Sequence, residues 1–166
     1  MSRRLAMLTL AFSIISILVL GLIAGGLIAN RPPMMDPPGL WTRLVTYLGT
    51  HVAETRSDHP FPELRPHFYA LSPDRLYAAA HEAIGGLGWK IASEDPADLN
   101  LTAVVESALW RFKDDVVVRV EPAEGGSTLG MRSSSRIGRG DLAANTRHLL
   151  NLYAAIEERL AATNPG

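Results

Sequence analysis

The stretch WRFKDDVVVRVEPAEGGSTLGMRSSSRIG, residues 110–138, decides the fold. Two runs, WRFKDDVVVRVEP and STLGMRSSSRIG, flank AEGG, a glycine-containing connection of hairpin length. Apolar and polar residues alternate along both, the period of strands with one face in a core and one in water. If Trp110, Phe112, Val116 and Val118 point inward, Arg111, Lys113, Asp115, Val117 and Arg119 point away. On the partner strand Leu129, Met131 and Ile137 are expected inward, and Arg132, Ser134 and Arg136 outward. Setting Glu121 opposite Thr128 puts Asp115 opposite Ser134 and diagonal to Arg132 and Arg136. The outer face is then expected to carry cross-strand ion pairs.

Asp114 breaks the alternation, since its place in the period is an inner one. Either a bulge at the two aspartates turns it outward, or its carboxylate has a buried partner, with Asn145, Arg139 or a helix terminus as candidates. Both readings make it structural. Adjacent strand carboxylates face opposite ways and form no acid/base dyad.

Upstream, WKIAS and LNLTAVVES read as strands, the second with Leu99, Leu101, Ala103 and Val105 on one face. LRPHFYA reads as an edge strand, where Pro66 is tolerated. SPDRLYAAAHEAIGGLG is a helix: Ser72 can cap it, Pro73 and Asp74 suit its first turn, and Gly88 can end it. Leu76, Ala79, Ala80, Ala83, Ile84 and Leu87 form its apolar stripe. A last helix is expected to open at Asp141, with Leu142, Leu149, Tyr153, Ile156 and Leu160 as its seam. The order strand, helix, four strands, helix predicts an α/β (α+β) fold: a two-layer sandwich of a mainly antiparallel sheet with two helices on one face.

Residues 5–29, LAMLTLAFSIISILVLGLIAGGLIA, carry no charge. At about 1.5 Å per residue this run crosses a hydrocarbon core about 30 Å thick. It is much longer than the apolar region of about 7–15 residues in a cleaved signal peptide, so a retained anchor is predicted. Arg3, Arg4 and the terminal amine precede it, while Arg31 and Arg43 follow, a slight excess that favours a cytoplasmic N-terminus and a domain outside, on the periplasmic side. Gly21 and Gly25 stand one turn apart, a spacing that lets helices in lipid approach and self-associate. The expected division is a membrane anchor over 1–30, a Pro-rich exit with a juxtamembrane helix and loop over 31–60, and the sandwich over 61–166. In LWTRLVTYLGTHVA, residues Leu40, Trp41, Leu44, Val45, Leu48 and Val52 share a face, with Thr42, Arg43, Thr46 and Thr50 opposite. That helix either packs on the domain or lies in the membrane interface with Trp41 and Tyr47 at headgroup level.

WRFKDDVVVRV followed by RSSSRIGRGDLAAN, with FPELRP and GLGWKIAS upstream, resembles the bacterial domain-of-unknown-function family numbered 1499 over roughly residues 52–160. The chain departs from the family's usual form at Gly130, Met131 and Ala143. The resemblance implies an envelope-associated domain and no established activity.

Residue chemistry points the same way. RIGRGD offers glycine and arginine ahead of a helix, as an anion site would, but Asp141 is expected to cap that helix and take its amides. An anion held by Arg132, Arg136 and Arg139 is the remaining form of such a site. The serines lie in a strand, with neither a P-loop nor a nucleophile elbow. Asp58, His59, Glu63 and His67 lack a metal-binding spacing, and His81 and His148 sit singly on helices. No catalytic residue, metal or cofactor is predicted. Without Arg3 and Arg4 the chain carries 14 basic and 17 acidic residues, a net of −3 that argues against nucleic acid, and the absence of cysteine excludes disulfides. The function expected is a membrane-tethered, non-catalytic envelope module or accessory subunit of a membrane protein complex, touching the bilayer and a membrane or envelope partner. Its partner or anion surface would comprise Arg111, Lys113, Asp115, Arg119, Arg132, Ser134, Arg136 and Arg139. The alternative is a carrier of lipid or a small anion between sheet and helices; an enzyme comes third.

Overall fold

The computed structural model describes residues 3–107 and 111–163. Its elements are α1 (Arg3–Asn30), α2 (Leu40–Gly49), β1 (Val52–Glu54), a 3-10 turn (Pro62–Leu64), β2 (His67–Tyr69), α3 (Pro73–Gly86), β3 (Lys90–Asp95), β4 (Asn100–Glu106), β5 (Lys113–Ala123), β6 (Gly126–Ser135) and α4 (Ala144–Thr163).

Among the described residues the strands form one antiparallel sheet in the order β1-β6-β5-β4-β3, with β2 sharing the outer edge of β6. The hairpin register is the predicted one, Glu121 opposite Thr128 and Asp115 opposite Ser134. Gly125, at φ +76°, makes the turn. Gly126 has a different reason: a Cβ there would collide with the Tyr69 carbonyl, where β2 ends against β6. Helices α3 and α4 cover one face. Leu76, Ala80, Ala83 and Ile84 of α3 and Leu149, Leu152 and Ile156 of α4 meet Leu101, Val116, Val118 and Leu129 in a continuous core. The other face is open, and Val117 is exposed on it.

Several expectations need correction. No bulge lies at Asp114: the ladder runs unbroken through its pairings with Val105 and Ser135, and its side chain is buried. Phe112 and Ile137 are exposed, because they fall just before β5 and just after β6, where alternation no longer applies. Trp110 lies outside the described residues. Helix α4 opens at Ala144 rather than Asp141, because Leu142 and Ala143 take left-handed φ values of 52° and 69°. Ser72 sits at the N-cap of α3 without a side-chain cap bond. Residues 52–54 leave α2 and join the sheet, and Tyr47 and Ala53 are part of the core, which thus takes in residues before position 61.

The largest difference concerns α2. It buries Arg43 and Tyr47 and turns its apolar side out, with Trp41 75% and Val45 69% exposed. Tyr47 therefore does not share the exposed side with Trp41.

Candidate functional site

The outer sheet face is where most of the predicted surface residues meet. Arg136 grips Asp115 with two bonds, of 2.9 and 2.6 Å, and holds that carboxyl below its usual range. Arg132 donates to Ser134 at 3.1 Å and not to Asp115, so the expected double pairing is single. Arg119 donates to Asn100 at 3.1 Å, and Arg111, in a loop before β5, pairs with Glu106 at 2.8 Å. Glu54 of β1 arrives opposite Arg132, a carboxylate that the hairpin alone could not reveal. Between them lies a shallow depression of about 330 Å³ floored by Gly130 and flanked by Arg119, Arg132, Glu54 and Glu121. Lys113 is exposed at the start of β5, whereas Arg139 is in the loop after β6, away from this strand register.

Behind the sheet, under α4, is a buried polar cluster. Asn145 is fully buried; its NH2 has three acceptors in reach for two hydrogens, the His51 carbonyl at 2.8 Å, Ser135 at 2.9 Å and Asp141 at 2.6 Å, and its carbonyl accepts from Ser133 at 2.5 Å. Asp141 also accepts the amides of Ala143 and Asn145, each at 2.9 Å, and so caps α4 from outside it. Asp114 faces His148 Nδ1 at 3.6 Å, which makes His148, and neither Asn145 nor Arg139, its partner. Ser133 Oγ lies 3.3 Å from the same ring nitrogen. A catalytic relay needs serine and carboxylate on opposite imidazole nitrogens and an accessible hydroxyl. Here both groups crowd Nδ1, and Ser133 is buried. The cluster as arranged is a structural knot.

It also carries a pH dependence. Burial, the main cause, holds the His148 pKa below its ordinary 6.5, although Asp114 and Asp141 push the other way. The unfolded chain therefore takes up this proton first, and the associated stability is lost as pH falls below 6.5 toward the folded value. His59 is lowered by burial too and has the same sign. Asp141 is raised, chiefly by burial against bonds from Asn145 and Ala143, and has the opposite sign. Urea unfolding at about pH 7.5 and about pH 5.5 should show a loss on acidification that His148→Gln reduces. An identical loss in the variant would remove His148 from the account.

A third region joins α1 and α2 to the domain. Arg43, wholly buried, forks onto Glu63 at 2.5 and 3.0 Å and donates to Tyr47 and to the carbonyls of Asp36 and Pro37. Burial opposes its charge, but the bonds to Glu63 and Tyr47 outweigh that and raise its pKa. At the end of α1, Asn30 donates to the Leu142 carbonyl at 2.8 Å, and Arg147 donates to the carbonyls of Asn30 and Arg31. Gly26 packs so close to Leu142 that a Cβ would collide with it. A Cβ at Gly21 or Gly25 would meet nothing within 4 Å among the described residues.

The family described as "Protein of unknown function (DUF1499)" matches residues 43–156. The chain belongs to the DUF1499 family. No curated protein matches it. Among solved structures, the crystal structure of Ara h 8.0201 is similar at a TM-score of 0.45 and 11% identity, over 68% of this chain and 98% of that one. At that distance the likeness says nothing of function.

In this DUF1499 domain the loop histidines are not gathered. Glu63 is engaged by Arg43, His67 stacks on Tyr153 and contacts Glu157, and His59 bonds the backbone of Phe61. Among the described residues no group of three or more His, Cys, Asp or Glu could hold a metal ion. The sequence missed Arg43 and His148 as key residues. Arg43 had one signal: it is the lone charge on an otherwise uncharged helix. His148 had one too, sitting one turn before Leu152, which is buried on the sheet side of α4.

Proposed function

We propose that this DUF1499 protein is a membrane-tethered, non-catalytic interaction module, retained by α1, with its domain outside the membrane and its open sheet face contacting a membrane or envelope protein. The observation that carries it is the junction. A helix of 28 residues, long and apolar enough to span a bilayer, has its last turn bonded into the folded domain through Leu142 and Arg147. A cleaved leader would forfeit those bonds, whereas a retained span uses them to fix the domain at the bilayer. Arg3 and Arg4 before the span favour a cytoplasmic N-terminus. The apolar side chains that fill the space between helices and sheet favour a module over a lipid carrier. Mass spectrometry of the native protein should find a chain that still contains α1 and stays with membranes after alkaline extraction. A soluble mature chain starting near Asn30 would overturn the proposal.

The contact surface has its own test. Arg119 and Arg132 flank the depression and, among the described residues, donate to the neutral side chains of Asn100 and Ser134. Changing both to Glu should leave the fold intact, release co-purifying protein and abolish the salt sensitivity of that association. Retention of every partner at the same salt dependence would make the face a solvated surface only. Gly21 and Gly25 leave one side of α1 open for close helix contact, and Leu at both should weaken self-association if the span pairs.

A further inference from the structure

We infer that α2 is a second membrane contact, an interfacial helix whose outward side rests in the headgroup region of the bilayer that α1 crosses. The inference rests on α1 being a retained span. Its first support is which way α2 faces. A ten-residue helix with one charge would ordinarily keep the charge in water and bury Trp, Val and Leu. Here the reverse holds: the guanidinium is inside, fully bonded, and Trp41, Val45 and Leu48 are outside at a spacing that lines one helix face. The Glu63 fork and the bonds to Tyr47, Asp36 and Pro37 offset the burial of Arg43 and hold the helix in this orientation, which leaves its apolar side facing out. A Trp-bearing apolar helix side with no charge on it suits the boundary between headgroups and acyl chains.

The second support is position. α2 begins ten residues after α1 ends. The loop between β6 and α4 touches both helices. Leu142 receives the Asn30 bond and packs on Gly26 of α1, while its amide donates to the Tyr47 carbonyl of α2 at 3.1 Å. Asp141 donates from its amide to Thr50 at 3.2 Å, and a Cβ on Gly140 would collide with the Leu48 backbone. The end of the span and the end of α2 are thus pinned to the same few residues, so α2 sits where the chain leaves the bilayer. The same loop carries Ile137, 72% exposed, and Met35 in the turn before α2 is 79% exposed.

The chain has no cysteine, so single-cysteine labelling reads positions directly. Three variants of the whole chain are reconstituted in phosphatidylcholine vesicles with a polarity-sensitive fluorophore at Leu18→Cys, Val45→Cys or Glu124→Cys. Glu124 is at the hairpin tip, at the far end of β6 from α2 and about 30 Å away at about 3.3 Å per residue. Lipids spin-labelled near the headgroup should quench more than half of the Val45 emission and leave Glu124 unchanged. Deep spin labels should quench Leu18. Quenching at Leu18 without quenching at Val45 overturns the inference and leaves the anchor standing. Quenching at neither overturns the anchor and the inference together. Equal quenching at Val45 and Glu124 shows a domain lying loosely on lipid, which also overturns it. Trp41→Cys serves as a second position on the same helix side, with the same expected result as Val45.

Discussion

Replacing Arg43 with Met should destabilise the domain by about 3–5 kcal/mol, the usual cost of stripping one partner from a buried ion pair. All five of its N–H donors are engaged: Nε on the Asp36 carbonyl, Nη1 on Tyr47 and Glu63, Nη2 on the Pro37 carbonyl and Glu63. The guanidinium also lies 4.3 Å from the Phe61 ring centre. Met fills much of the volume but leaves the Glu63 carboxylate, only 17% exposed, without its counter-charge. At this chain length the loss corresponds to a melting temperature lower by roughly 6–20 °C in detergent solution. Arg43→Lys should recover little, because a single ammonium cannot reach two carbonyls, a hydroxyl and both carboxylate oxygens. Removing the charge from both partners, Arg43→Met with Glu63→Met, should recover much of the loss. A single variant that unfolds within about 1 kcal/mol of the parent would show that the fork is incidental.

Asn145→Ala should cost about 3–4 kcal/mol, since it strands the fully buried Ser133 hydroxyl and takes a partner from the half-buried His51 carbonyl, Ser135 and Asp141 at once. The side chain joins the loop after α2, β6 and the cap of α4 through His51, Ser133, Ser135 and Asp141. Asn145→Asp is the sharper variant. It keeps the shape but sets a second carboxylate against Asp141, where the amide now donates at 2.6 Å. The new carboxyl would titrate above its unfolded value, so the native state takes up the proton first and the deficit shrinks as pH falls. Urea midpoints across a pH series read this directly. A deficit that grows on acidification, or alanine at parental stability, would refute the role given to Asn145.

Much of the sheet was legible in the residues themselves. Alternation through Val116, Val118, Leu129 and Met131 placed the inner face and, with Glu121 opposite Thr128, the register. The stripe of α3 and the seam of α4 through Leu149, Tyr153 and Ile156 followed from helical period in the same way. β1 was not legible: three residues form a strand only because the edge of β6 is there to pair with them. The start of α4 was misplaced because the Asp141 carboxylate bonds two amides from outside the helix and lets Leu142 turn toward α1.

The candidate surface divides along the same line. The sequence by itself determined that Lys113, Asp115, Arg119, Arg132 and Arg136 leave the core, since a period of two sends them to one side. It also determined that residues 5–29 form a helix of bilayer length, because an uncharged run needs no tertiary partner to declare itself. Only the tertiary structure decided that Arg136 rather than Arg132 holds Asp115, that Glu54 comes to face Arg132, and that Asp114 meets His148. The same is true of α2. Its period showed that Trp41 and Val45 share a side, but a period cannot say what that side meets. The decision came from Glu63, twenty residues further along the chain, which takes the buried Arg43 and so turns the apolar side outward.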